Sequence, residues 1–520
     1  MENVATLAGP RKKGLFHLLF SRFFLIILLL AVQIVLIISF NFWLKDLLPF
    51  YSAAMTVFLI CGVIYLFNSG MDSSAKLTWM LIISIAPFTG AALLAFTQMS
   101  FGHRFIRERA AELTSSTRDA IPQSEEVLKK LSEDPSGTDD LNRYMNRNNC
   151  FPIYDRSKLD YFPLGEEMFA AMLEDLRKAE KFIFMEFFII DEGYMWGSIL
   201  KILEEKAAAG VDVRVMYDGM LEVSTLPDNY CTLLQEQGIK AKAFSPIRPF
   251  VSTHYNYRDH RKILVVDGKA AYTGGVNLAD EYINRKERFG HWKDTGLRVE
   301  GEAVRSFTLM FLQMWNLDEK EAAFEPWVSC DAGRPEDADG FVMPYGDCPL
   351  DNDKVGEMVY MDIFNRAVDY VHVMTPYLIL DGELETAIRF AAERGVDVKL
   401  ILPGIPDKKA AYALAKNHYK RLVSSGVKIY EYTPGFVHAK VFVSDDKKAV
   451  AGTINLDYRS LYHHFECAAY IYKASCIADM ERDFQDTLGR CREVTLQSIR
   501  KEKLYYKIMG RVMQFIAPMM

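Results

Sequence analysis

The chain repeats itself over a long stretch, and this limits the folds open to it more than any other feature. GVDVRVMYDG at 210–219 returns as GVDVKLILPG at 395–404, and MEFFIIDEG at 185–193 returns as MTPYLILDG at 374–382. Copies this long are not the short units of a solenoid, so two similar lobes about a pseudo-twofold axis are expected, with a cleft between them. In the first copy, 165–181 spaces its apolar residues as an amphipathic helix and KFIFMEFFII reads as a strand. A second helical stretch at 197–209 and the buried strand VDVRVMYD follow. This alternation is α/β grammar.

With 520 residues, half of them apolar and a quarter charged, the chain can bury a large core and is neither disordered nor fibrous. A net charge of −7 argues against a chain that coats nucleic acid, so any phosphate site must be local. The eight cysteines show neither CxxC nor close Cys/His spacing, which points to free thiols and away from zinc. Long uncharged runs gather near the N-terminus, at 23–40, 49–67 and 77–97, each close to the roughly 20 residues that cross a bilayer. They are candidate membrane spans, and Pro87 interrupts the third. Arg11, Lys12, Lys13 and Arg22 precede the first run, while Arg104, Arg107 and Arg109 follow the third. Three crossings would put these clusters on opposite sides, so two or three spans, and the side of the catalytic part, stay open. The expected organisation is a membrane region to residue 100, a helix and linker over 101–160, lobes at 161–317 and 346–495, a connection at 318–345, and a basic amphipathic helix over 496–520. That last stretch suits a lipid surface or a packed terminal helix equally well.

Each copy also carries His-x-Lys, four residues and Asp: His260, Lys262 and Asp267 in HRKILVVD, and His438, Lys440 and Asp445 in HAKVFVSD. Further on, each has a glycine and then an asparagine at matching distances, Gly274 with Asn277 and Gly452 with Asn455. Alternate residues of a strand share a face, so the His and Lys of each motif can reach one phosphate. A phosphodiester repels anionic nucleophiles, and a neutral imidazole attacks more readily when ammonium groups neutralise the oxygens. His260 and His438 are therefore the candidate nucleophile and general acid/base, in an order that sequence physics leaves open. Lys262, Lys440, Asn277 and Asn455 are the candidate phosphate clamp. Asp267 and Asp445 complete the catalytic motifs, but they stand at hairpin signals on strand ends and read as structural. A nucleophilic imidazole needs a carboxylate on its other nitrogen, and Asp294 in HWKDTGLRVEG and Glu466 in HHFECAAYIY hold comparable places. Glu281 in NLADEY is a weaker candidate that reads as a helix-surface residue. No carboxylate cluster of the two-metal type accompanies these residues, so neither metal nor other cofactor is expected.

These paired motifs, with their GG/GT-x-N extensions, resemble the phospholipase D superfamily over about residues 160–495. NYRDHRKILVVDG, GGVNLADEY and HWKDTGLRVEG, behind apolar runs that end in Trp79, Pro87 and Gly90, are similar to bacterial cardiolipin synthases. The resemblance implies two phospholipase D-like lobes behind transmembrane helices in the bacterial cytoplasmic membrane. It also implies that two phosphatidylglycerol molecules condense to cardiolipin and glycerol through a phosphatidyl-histidine intermediate. His260 would be the nucleophile and His438 the acid/base, with Glu466 supporting His260 and Asp294 supporting His438 across the lobes. Phosphatidylglycerol and the membrane are the expected partners, without nucleic acid, and the oligomeric state is not legible. A hydrolytic phospholipase D is the nearest alternative. A membrane-tethered nucleic-acid phosphodiesterase would need a basic, aromatic-lined groove, and a non-catalytic scaffold would leave the paired motifs without a use.

Overall fold

The computed structural model describes residues 5–7, 35, 39, 42–43, 51–85, 87–98, 101–149, 151–246, 257–351, 353–515 and 517–519. The β-rich runs build two mixed sheets. In the first half the strands are β1 (Ser157–Phe162), β2 (Phe182–Phe187), β3 (Asp212–Asp218), β4 (Lys240–Phe244), β5 (Arg258–Asp259), β6 (Lys262–Val266), β7 (Ala270–Gly274), β8 (His291–Lys293) and β9 (Gly296–Gly301). In the second half they are β10 (Phe341–Asp347), β11 (Tyr370–Met374), β12 (Asp397–Pro403), β13 (Lys428–Tyr432), β14 (Gly435–Val437), β15 (Val441–Ser444), β16 (Lys448–Gly452), β17 (His464–Tyr472) and β18 (Cys491–Val494).

The duplication reappears in the strand order. The first sheet runs β1-β9-β7-β6-β2-β3-β4 and the second β10-β17-β16-β15-β11-β12-β13, with β18 added at its far edge. Position for position these are the same sheet. In each, the central strand pairs parallel on one side (β2 with β3, β11 with β12) and antiparallel on the other (β2 with β6, β11 with β15). Parallel neighbours need a crossover, supplied by the helices Tyr194–Ala208 and Gly382–Glu393. The central strands are buried on both faces, which explains near-continuous apolar runs such as FIFMEF and KILVV.

The two sheets meet along β7 and β9 of the first and β16 and β17 of the second. Two short strands cross this boundary. β5 pairs parallel with the start of β17, His464 opposite Arg258, and β14 pairs parallel with β8, Gly435 opposite His291. Each lobe thus lends the other a strand, and each lent strand runs directly toward a motif histidine.

The outer segments differ from the sequence expectation. β1 and β10 begin ahead of 161 and 346, so the connection between lobes ends before Phe341. The stretch expected to be a helix and linker holds three helices, Phe101–Ser116, Glu125–Ser132 and Thr138–Asn149, with Leu113, Val127, Leu131, Leu141 and Met145 buried. Its polar residues serve as caps and turns, as where Ser124 accepts from Val127 N at 3.5 Å.

The membrane reading also needs correction. Among the described residues no helix is long and apolar enough to cross a membrane. The run 23–40 lies almost wholly outside the described residues. The run 49–67 forms a helix at Tyr51–Asn68. The run 77–97 divides between Ser73–Ile85 and Pro87–Gln98. Proline cannot donate the next helical hydrogen bond, and at Gly90 the helices come so close that a Cβ would lie 2.8 Å from Ile83 Cα. Leu66, Trp79, Ile83 and Leu94 join the three helices in a small core of their own.

At the other end, Leu496–Lys501 and Leu504–Met513 are separate helices, and the second lies on Lys409–Ser424 with Gly510 against Ala413 O. It is therefore packed, yet Leu504, Tyr505, Ile508 and Val512 stay exposed along one side. All the described cysteines are free.

Candidate active site

The lent strands deliver the histidines. His260 follows β5, and its N–H donates to Phe465 O at 2.9 Å; His438 follows β14, and its N–H donates to Lys293 O at 2.7 Å. Each acceptor immediately precedes a carboxylate in the chain. Glu466 Oε1 and Oε2 therefore lie 2.8 and 3.0 Å from His260 Nδ1, and Asp294 Oδ2 lies 2.7 Å from His438 Nδ1. A carboxylate can only accept, so Nδ1 carries the proton and Nε2 presents its lone pair. Both carboxylates are fully buried.

The difference between GG and GT in the two extensions has a physical reason. Thr453 Oγ1 donates to Glu466 Oε2 and braces the longer acid. Its counterpart is Gly275, where a Cβ would stand 1.9 Å from Asp294 Oδ1. A side chain there would push Asp294 away from His438.

Lys262 and Lys440 are buried beside their histidines, and each Nζ donates to the carbonyl of its own histidine, Lys262 at 2.6 Å. Lys440 Nζ is also 3.1 Å from His438 Nε2. With so many cationic groups crowded out of water, proton affinities fall. Burial, then Lys262, Lys440 and His438, hold the His260 pKa well below the usual imidazole value, while burial and Lys440 bring His438 down to about 4. Burial lowers Lys262 to about 8 and Lys440 to about 7. Burial alone would raise Asp294, but His438 and Lys440 outweigh it and keep the carboxyl below its ordinary value. The mutual influence of His260, His438 and both lysines places them in one electrostatic cluster.

Other motif residues lie elsewhere or are already engaged. Asp267 and Asp445, counted with the catalytic motifs in the sequence, are not brought to this cluster. Asp267 accepts from the N–H groups of Glu180, Lys181 and Phe182, and Asp445 from those of Val368, Asp369 and Tyr370. Each has φ of 54° at the end of its hairpin strand and tethers the start of a neighbouring strand. Asn277 Oδ1 accepts from Ile189 N at 3.0 Å and its Nδ2 donates to Tyr282 Oη at 2.8 Å, which leaves little of it for a phosphate. Asn455 is different: it is buried, and among the described residues its Oδ1 has no hydrogen-bond partner. Glu281 is not on a helix surface but buried, with Oε1 2.8 Å from Arg288.

Sequence reasoning missed a third imidazole. The His464 ring lies 5.3 Å from that of His260, and its Nδ1 is 3.8 Å from Glu466 Oε1, too far for a hydrogen bond. Neither ring nitrogen has a hydrogen-bond partner among the described residues, and burial is the main reason its pKa falls to about 3. The signal was present, because His464 stands two residues before Glu466 in a strand and so shares its face. Among the described residues, His260, His464 and Glu466 also form a trio whose donor atoms lie within 4.8 Å of one another, a geometry that could accept a metal ion. Glu466 is already bonded to His260 and Thr453, so an ion would have to displace those contacts.

Known proteins resemble this chain over most of its length. Residues 172–315 and 360–488 match the family described as "Cardiolipin synthase, PLD-like domain". "Cardiolipin synthase 2" of Bacillus anthracis is 31% identical over 472 residues, 90% of this chain and 90% of that protein. "Cardiolipin synthase" of Geobacillus thermodenitrificans is 30% identical over 504 residues, 95% of this chain and 98% of its own length. An uncharacterized protein of Streptococcus mutans is 55% identical over 462 residues, 89% of this chain and 100% of that protein. Among solved structures, phosphatidylserine synthase of Haemophilus influenzae superposes with a TM-score of 0.56 at 16% identity, covering 74% of this chain and 97% of that one, a likeness of fold.

Proposed function

Because the chain belongs to the cardiolipin synthase, phospholipase D-like family, we propose that it transfers a phosphatidyl group between two phosphatidylglycerol molecules, giving cardiolipin and glycerol at a bacterial membrane. The observation that carries this reading is the pair of buried imidazoles, each with Nδ1 held by a carboxylate of the opposite lobe and a lysine alongside. One histidine alone could cleave a diester. Two in a common field can cleave and re-form it.

His260 is the nucleophile in this reading, since its pKa is held well below the usual value and Nε2 is left as a free lone pair. When the anionic phosphodiester arrives among Lys262, Lys440 and His438, its charge raises their proton affinities, and His438 takes up a proton. His260 Nε2 forms a bond to phosphorus as the bond to the glycerol oxygen breaks, and His438 gives its proton to that oxygen. Glu466 compensates the positive charge that grows on His260. The hydroxyl of a second phosphatidylglycerol then attacks phosphorus, hands its proton to the now neutral His438, and the N–P bond breaks. In this reading Lys262, Lys440 and Asn455 Nδ2 donate to the non-bridging oxygens. Water competes as acceptor, so the buried setting of both histidines favours transfer over hydrolysis.

Purified, detergent-solubilised protein incubated with labelled phosphatidylglycerol tests the reading. Cardiolipin and glycerol are expected. Phosphatidic acid with glycerol would make the protein a hydrolase, and cleavage of oligonucleotides alone would overturn both assignments. EDTA should leave the rate unchanged. A loss restored by a divalent ion would turn attention to His260, His464 and Glu466 as ligands.

A further inference from the structure

A cavity of about 1000 Å3 lies between the helices Tyr51–Asn68 and Ser73–Ile85, with the turn that joins them, and the second lobe. Its inner end is walled by His464, one ring from His260, and by Tyr462. Its outer end is walled by Ile64 and Tyr65, both more than half exposed. Val57, Ile60 and Phe67 continue this apolar surface along the helix Tyr51–Asn68, at the spacing of one helical face. A second exposed stripe, Leu77, Leu81 and Ile85, runs along Ser73–Ile85. The same helix touches the C-terminal segment, where buried Thr78 Oγ1 donates to Phe515 O at 2.5 Å. Monomeric soluble proteins seldom expose so much contiguous apolar surface, which marks a lipid or protein contact.

We infer that this cavity holds the ester neck and first acyl carbons of a phospholipid whose phosphate lies at His260 and His438 and whose chains pass out over Ile64 and Tyr65 into a bilayer. The inference rests on the proposed phosphatidyl transfer and adds where the lipid lies. The two ends of the cavity have opposite demands that a phospholipid meets together. The inner end offers an imidazole with both nitrogens unsatisfied and mostly buried, a cost removed when a phosphate or ester oxygen accepts from it. The outer end offers hydrocarbon to hydrocarbon. Between them Asp347 and Asp351 line the wall with polar side chains. Among the described residues no helix is long and apolar enough to cross a membrane, and helices with an apolar face can lie in one leaflet with that face buried.

Gly70 provides the test. It lines the cavity, and a Cβ placed there meets nothing within 4 Å, so Gly70→Trp sets a large side chain at the cavity wall. The quantity to measure is kcat/KM on long-chain phosphatidylglycerol in vesicles divided by kcat/KM on bis(4-nitrophenyl) phosphate, a soluble diester without acyl chains. This ratio should fall at least tenfold, whereas a ratio within twofold of the parent would overturn the inference. In parallel, phosphatidylglycerol with a photoreactive diazirine near the ester end of one chain should label peptides containing residues 64–75 and 457–464. Labelling confined to other peptides would overturn the inference even if Gly70→Trp proved poorly folded. Cardiolipin formation with neither effect refutes the cavity assignment and leaves the transferase reading intact. Turnover of the soluble diester without turnover of phosphatidylglycerol refutes the transferase reading, and the labelled peptides then still decide the cavity.

Discussion

Replacing Glu466 by Gln keeps the size of the side chain but removes its charge and turns one acceptor oxygen beside His260 Nδ1 into a donor. The side chain keeps its shape, is fully buried, and can still accept from Thr453, so the fold should be retained. It loses the ability to present two anionic oxygens to His260 Nδ1 at 2.8 and 3.0 Å. In the resting enzyme His260 is neutral, and the lost contact is a modest one. In the proposed mechanism, however, the ring becomes cationic as the N–P bond forms, and among the described residues Glu466 is the counter-charge bonded to it. Leaving a buried charge without its partner costs about 3–5 kcal/mol. At about 1.4 kcal/mol per tenfold, kcat should fall by roughly 150- to 5,000-fold, while KM changes by less than about threefold. Rapid-quench measurement of headgroup release, with phosphatidyl-enzyme trapped in acid, reads the step directly. Formation of the trapped species should slow by the same factor. A Glu466→Gln enzyme with near-parental kcat, or one whose loss lies wholly in KM, would show that the carboxylate does not support the attacking ring.

The remaining predictions concern the lysines and pH. Lys440 is buried with a pKa of about 7 against an ordinary 10.5, so below about pH 7 the fold holds an ammonium at a cost that the unfolded chain does not bear. Lys440→Met should therefore raise Tm at pH 7 by a few degrees, about 1 °C per kcal/mol for a chain of this length, while abolishing turnover; a lowered Tm in differential scanning fluorimetry would contradict the burial argument. The same affinities give the pH profile a direction. Lys440 loses its proton near 7 and Lys262 near 8, and His438 must gain one from a resting value of about 4, so kcat/KM should fall from pH 6 to pH 9 and steepen above 7. A profile that is flat or rises over that range would sink the assignment of charged lysines to the phosphate. His464→Leu should raise KM for phosphatidylglycerol far more than it lowers kcat, and His464→Asn, which keeps a donor, should recover most of the loss; equal behaviour of the two would leave His464 a packing residue.

Two kinds of information meet in this molecule. What a residue shares with its neighbours two or four places away was legible in the chain. Strand alternation puts His260 with Lys262 and His438 with Lys440, and the repeat of GVDV segments anticipates two sheets of identical order. The hairpin reading of Asp267 and Asp445 is of the same local kind, and both take the positive φ of such turns. What failed was the fate of polar stretches and long apolar runs. Residues 101–160 looked like linker because their buried residues are widely spaced among polar ones, and 77–97 looked like a span because composition does not register that Pro87 and Gly90 fold it back on itself. Partnership between distant residues depends on which chains come together after folding. Composition and spacing could not say that Asn277 is taken up by Ile189 and Tyr282, or that His464 faces a cavity with no partner. Only the exchange of β5 and β14 between lobes sets each histidine against the other lobe's acid, because strand pairing joins segments that local periodicity never relates.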